Sequence, residues 1–204
     1  MFIQPFKGTS QIMRLLFQQN GVKIGLWLSG LIGVSIATVT AYITIYTGQK
    51  EIIEFGLTMQ NPAMIAMLGS LYEVEFFNLG AVFASEMLLF SAIAVSVMNI
   101  LLVSSSTRVD EEEGRLEMIL GLPVGRLAYL AATISMMVIV NSLLFMILSL
   151  VLGVFNHEAF SVESALLYGG ILASTGLFFA GITAVAAQLT ETSRGATGIS
   201  FAVL

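Results

Sequence analysis

The stretch LAYLAATISMMVIVNSLLFMILSLVLGVFNH, residues 127–157, decides the fold class. It lies between Arg126 and Glu158 and holds no charged residue. A bilayer core about 30 Å thick needs roughly 20 helical residues at 1.5 Å each, so the run is long enough to cross. It is continuously apolar rather than alternating. Helix is therefore preferred over strand, because a helix satisfies its own backbone groups in lipid. Three further charge-free gaps follow the same rule: 24–49 between Lys23 and Lys50, 87–107 between Glu86 and Arg108, and 164–190 between Glu163 and Glu191. The predicted spans are 24–46, 80–103, 127–154 and 165–189, which makes the chain an all-α, polytopic transmembrane helical bundle.

Composition agrees. Of 204 residues, 57% are hydrophobic and 10% charged, against about 45–50% and 25% for soluble domains. A soluble fold of this size could not hide so much apolar surface, and a disordered chain needs more charge to stay solvated. There is no cysteine, and His157 is the single histidine, which excludes disulfides, thiolate metal sites and two-His motifs. Net charge is −5, so nothing points to nucleic acid as a partner.

Basic residues set the expected orientation. Lys7, Arg14 and Lys23 precede the first span, Arg108, Arg115 and Arg126 lie between the second and third, and Arg194 follows the fourth. Seven of the eight basic residues thus fall on one side if four spans alternate; only Lys50 falls on the other. The N-terminus and the 104–126 loop are expected in the cytoplasm of a multi-pass cell-membrane protein, with 47–79 and 155–164 outside. A signal peptide ending near Val39-Thr-Ala41 competes for the first span. Its apolar run is too long for that, and 23 residues precede it. After Arg194 the chain reads GATGISFAVL, residues 195–204, which is expected to begin a fifth span; the chain is then a fragment of a longer protein.

Residues 4–22 are amphipathic. Phe6, Met13 and Leu16, with Ile12 and Leu15 beside them, alternate with Gln4, Gln11, Gln18, Gln19 and Asn20. This suits a helix in the membrane interface, with an elbow touching a cytoplasmic partner as the alternative. Residues 62–71 follow the breaker Asn61-Pro62 and are apolar but too short to span. Glu51, Glu54, Glu73 and Glu75 make the outer segment acidic; a solvated face is the default, a cation-attracting vestibule the alternative.

The 104–126 loop has the signals of one short helix over 109–122. Thr107 is the candidate N-cap with Asp110 at capping-box spacing. Four acids suit the positive end of the helix dipole, Glu111 and Arg115 form an i,i+4 pair, and Leu116, Ile119 and Leu120 form an apolar stripe ended by Gly121 and Pro123. Such a helix either rests on the membrane or docks a soluble protein. Its clustered acids speak against an anionic inner leaflet.

The run Thr107-Arg108-x-Asp110-Glu-Glu-x-Gly114-Arg115-x-Glu117, followed by Leu122-Pro123-Val124-x-Arg126, resembles the cytoplasmic-loop signature of ABC-2 type permeases, the membrane subunits of bacterial ABC exporters. The likeness is closest to the exporters of polyketide antibiotics. Asn61-Pro-Ala, Phe83-Ala-x-Glu86 and Met98-Asn99 resemble that subgroup more weakly. The resemblance covers roughly residues 10–190. It implies a type V, ABC-2-like exporter membrane domain, with an N-terminal connecting helix in 1–22 and the transmembrane domain in 23–204. Residues 109–122 become the coupling helix, with Arg108, Asp110, Glu113, Gly114, Arg115, Glu117, Pro123 and Arg126 at the contact with an ATP-binding subunit. It implies six spans per half-permease, so a second half or a missing C-terminal half is a further expected partner. ATP and Mg belong to the partner subunit, and no cofactor is expected here.

Within the spans, Glu86 is the carboxylate expected inside lipid, near the outer end; a functional role and simple access to water weigh evenly. Asn99 and Asn141 suit hydrogen bonds between helices better than ligand contact. All three are candidates for a translocation path. Small residues recur at Gly25, Ser29, Gly33 and Ala37 in the first span, and at Gly169, Ala173, Gly176, Ala180, Ala184 and Ala187 in the fourth, as helix-packing stripes. No Gly-x-x-x-x-Gly-Lys-Ser/Thr loop is present, so an ATPase must sit elsewhere. The favoured reading is a non-catalytic permease for a hydrophobic or amphipathic compound such as a drug or antibiotic. A non-transporting scaffold or inactive fragment is the alternative. An intramembrane enzyme ranks lower, since Glu86 has no second intramembrane acid.

Overall fold

The computed structural model describes residues 5–69, 78–154 and 161–204. The expectations placed on Gln4, Glu73, Glu75 and His157 lie outside these residues. Among the described residues the chain is entirely helical, in the order α1 (Thr9–Ile45), α2 (Gln49–Met59), α3 (Pro62–Leu68), α4 (Leu79–Ser105), α5 (Arg108–Glu112), α6 (Arg115–Leu120), α7 (Ala128–Val154), α8 (Val162–Leu189) and α9 (Ser193–Val203). The helices α1, α4, α7 and α8 are long and apolar enough to cross a membrane. The protein is an all-α, polytopic membrane protein.

The first span and the amphipathic segment before it are one continuous helix of 37 residues. At 1.5 Å per residue it is about 55 Å long, far more than the hydrocarbon core requires. No proline interrupts residues 9–45, and the helix runs unbroken through Asn20-Gly21, where a connecting helix is expected to give way to the span. In the next segment Asn61 caps α3: its side chain accepts from the Ala63 N–H at 3.0 Å, and Pro62 fills the first helical position, where no N–H is needed.

The chain forms two compact units. The first comprises Met1–Leu28, Ala94–Leu143 and Ala173–Leu204. Its core holds Leu16, Met98, Leu102, Met136, Met137, Val140 and Ala187. The second comprises Ser29–Ile93 and Leu144–Leu172. It buries Val39, Val82, Phe83, Leu148, Leu152 and Tyr168. Tyr42 stands edge-on to Tyr46 and Phe83, with ring centroids 5.6 and 6.3 Å away.

The two small-residue stripes behave differently. In the second unit a Cβ built at Gly169 would lie 2.5 Å from Ser149 Oγ and 3.1 Å from the Phe145 carbonyl oxygen, so α8 and α7 approach closely there. In α1, Gly25 and Gly33 face open space. The first-span stripe therefore packs nothing at these glycines among the described residues.

Candidate functional site

The loop after α4 is anchored rather than free. Its pivot is Asp110 in the first unit, 1% exposed. Oδ1 accepts from Gln19 Nε2 of α1 at 2.7 Å and from Arg115 Nε at 2.7 Å, with Arg115 Nη2 at 2.6 Å. Oδ2 accepts from the Tyr129 hydroxyl of α7. One carboxylate thus ties α5 to α1, α6 and α7. A buried carboxylate is tolerable only with such a set of donors, one of them cationic. The hydrogen bond that Arg115 donates to Asp110 holds the guanidinium pKa above its usual value, so this counter-charge persists at every accessible pH.

Neighbouring groups extend the anchorage. Asn20, wholly buried, donates to Ser106 Oγ at 3.1 Å and accepts from Ser105 Oγ at 3.1 Å. Thr133 of α7 donates to the Ser106 carbonyl at 3.2 Å. Arg108 reaches the end of α8, where its Nε donates to the Ala187 carbonyl, and its Nη1 pairs with Glu111. Glu112 accepts from both the backbone N–H and the hydroxyl of Ser193, each at 2.7 Å. It satisfies a donor that the first turn of α9 would otherwise leave open.

Several local expectations are corrected. Residues 109–122 are not one helix: α5 ends at Glu112, Gly114 takes φ +72°, and α6 begins at Arg115. Only glycine adopts that left-handed conformation without strain, so Gly114 sets the angle between the two pieces. The Thr107 side chain does not cap α5; its hydroxyl donates back to the Val103 carbonyl at 2.7 Å. Arg115 pairs with Asp110 and Glu113, while Glu111 pairs with Arg108 instead.

The residues predicted at the loop therefore separate into two sets. Asp110, Arg108 and Arg115 are spent on the protein's own helices. Glu117, Pro123 and Arg126 are exposed, as is Glu113 beyond its pair with Arg115, together with Met118 at 70% and Leu122 at 60%. An acidic, partly apolar face is left open on α6 and the turn after it. Gln19, Tyr129 and Glu112 complete the anchorage, although sequence reasoning placed Gln19 only on the polar side of residues 4–22, Glu112 only among the four loop acids, and gave Tyr129 no role. Gln19 and Tyr129 did carry a signal: each is a polar residue at the boundary of an apolar run.

Asn99 of α4 and Asn141 of α7 are brought together, wholly buried, in the first unit. Asn141 Nδ2 donates to Asn99 Oδ1 at 2.7 Å, and Asn99 Nδ2 to Asn141 Oδ1 at 3.2 Å. Their remaining N–H groups bond the Met137 and Val95 carbonyls of their own helices. The amide pair is closed on itself, which fits a joint between helices. Glu86 belongs to the second unit, is partly buried, and accepts from the Tyr42 hydroxyl.

No family model matches the chain. It is 32% identical over 204 residues to a multidrug efflux system permease protein of Mycobacterium tuberculosis, an alignment that takes in 98% of this chain and 35% of that protein. The chain thus spans about a third of the length of this relative.

Proposed function

We propose that this chain belongs to the membrane-spanning permease of an ATP-driven exporter of the ABC-2 type. The permease moves a hydrophobic or amphipathic compound, a drug or antibiotic being the expected kind, outward across the cytoplasmic membrane. The efflux role of the relative supports this reading, as does the loop signature in residues 107–126. ATP and Mg bind a separate nucleotide-binding subunit, and a second permease half completes the path. The N-terminus and the α5–α6 element face the cytoplasm.

The observation that carries the proposal is the Asp110 anchorage. An element that passes force must be stiff toward the spans and open toward the partner. The α5–α6 element meets both conditions: Asp110 and Arg108 tie it to α1, α7 and α8, while Glu113, Glu117, Met118 and Leu122 point away. Closure of the ATP-bound partner then biases the span bundle between inward-open and outward-open states, provided the partner binds one state better.

Co-purification with the ATP-binding subunit tests the docking face. Charge reversal at the exposed acids, Glu113→Arg with Glu117→Arg, is expected to reduce association about tenfold or more, as loss of close complementary charges does at other interfaces. Unchanged association overturns docking at this element.

A further inference from the structure

We infer that the first unit holds a binding site for an anionic phospholipid, in a cleft of about 390 Å³ where α1, α4 and α9 meet. Two cations line it, Lys23 from α1 and Arg194 from α9. Both are exposed, and among the described residues neither has a carboxylate within ion-pairing distance. The carboxylate of Glu112 accepts from the Ser193 N–H and hydroxyl and attracts Arg194 from beyond ion-pairing distance. Lys23 makes one long bond, 3.5 Å, to Asn20 Oδ1, which leaves most of its donor capacity unused.

The cleft is graded from polar to apolar in the way a phospholipid is. On α1, Trp27 follows Lys23 by one turn, about 6 Å further into the apolar part of the helix. On α4, Leu101 lies one turn deeper than Ser105. Both pairs line the same cavity. Tryptophan favours the depth of lipid headgroups, and basic pockets between transmembrane helices suit acidic ones. A soluble anion would use only the two cations and leave the tryptophan and leucine surface wet. A neutral lipid would leave Lys23 without a counter-charge and Arg194 with only the attraction of Glu112, which lies beyond ion-pairing distance. The anionic phospholipid satisfies both ends, with its phosphate between Lys23 and Arg194 and its glycerol and upper acyl region against Trp27 and Leu101.

Trp27 is the single tryptophan of the chain and reports directly on this cleft. The chain is reconstituted in phosphatidylcholine vesicles and titrated with phosphatidylglycerol brominated near the top of its acyl chains. Brominated phosphatidylcholine serves as the neutral arm and soluble glycerol phosphate as the chain-free arm. The brominated anionic lipid is expected to quench Trp27 with about 25-fold preference over the neutral one, and each of Lys23→Gln and Arg194→Gln should reduce that preference about fivefold. The charge-preserving pair Lys23→Arg and Arg194→Lys should retain it, which separates lost charge from misfolding. Glycerol phosphate at millimolar concentration should leave the quenching in place. Equal quenching by both lipids, a preference unchanged in the double glutamine variant, or displacement by glycerol phosphate would each overturn the assignment. None of these outcomes depends on the exporter reading.

Discussion

Gly176 and Gly25 look alike in the sequence, each a small residue in a stripe of small residues, yet their surroundings are opposite. A Cβ at Gly176 would run into Asn141 Oδ1, with Asn99 Nδ2 at 2.6 Å and a Val95 methyl at 2.9 Å. The closed amide pair leaves no slack, because moving either asparagine breaks a buried hydrogen bond. Gly176→Ala is expected to destabilise by about 1–3 kcal/mol through overpacking. Gly25→Ala meets nothing and exchanges a poor helix former for the best one, so it should stabilise by about 0.5–1 kcal/mol. Thermal unfolding of both variants in detergent, followed by circular dichroism, checks the sign of each change. If Gly176→Ala did not destabilise, the packing assigned to Gly176 would be wrong; if Gly25→Ala did, the open space at Gly25 would be.

At the scale of elements, the short helices hold their places through borrowed hydrogen bonds. Helices of five or six residues such as α5 and α6 have too few internal bonds to form alone. They persist because Asp110 and Arg108 connect them to the long helices α1, α7 and α8, and Glu112 connects α5 to α9. The relation with α9 is mutual: Thr192 accepts from the Gly195 N–H at 3.1 Å, and Glu112 satisfies the Ser193 N–H. Glu112→Ala removes this second acceptor. Hydrogen–deuterium exchange of the amides of residues 193–197 is expected to speed up, while those in the middle of α7 stay protected. Unaltered exchange at 193–197 would mean that Thr192 alone caps α9.

For the whole molecule, the question is which side of the membrane each loop occupies. The absence of native cysteine makes single-cysteine labelling clean. Met118→Cys, at a site 70% exposed on α6, should react with a membrane-impermeant maleimide only after the cells are opened. Lys50→Cys on α2 should react in intact cells. The reverse pattern would invert the orientation and remove the basis for a cytoplasmic partner at α6.

Charge-free gaps in the sequence located the four long apolar helices, though not the start of the first at Thr9, because the cost of placing a charge or an unpaired backbone group in hydrocarbon is paid residue by residue along the chain. The same local chemistry made the charged loop between Ser105 and Ala128 recognisable as an unusual segment. What required tertiary structure was the assignment of partners. Asp110 read as a capping-box residue and a contact for the ATP-binding subunit; it is buried, and Gln19, Arg115 and Tyr129 converge on it from three helices. Likewise, no local signal distinguishes Gly176 from Gly25. Which face of a helix meets a neighbour depends on how the helices are rotated against one another, and neither hydropathy nor residue spacing within one helix contains that rotation.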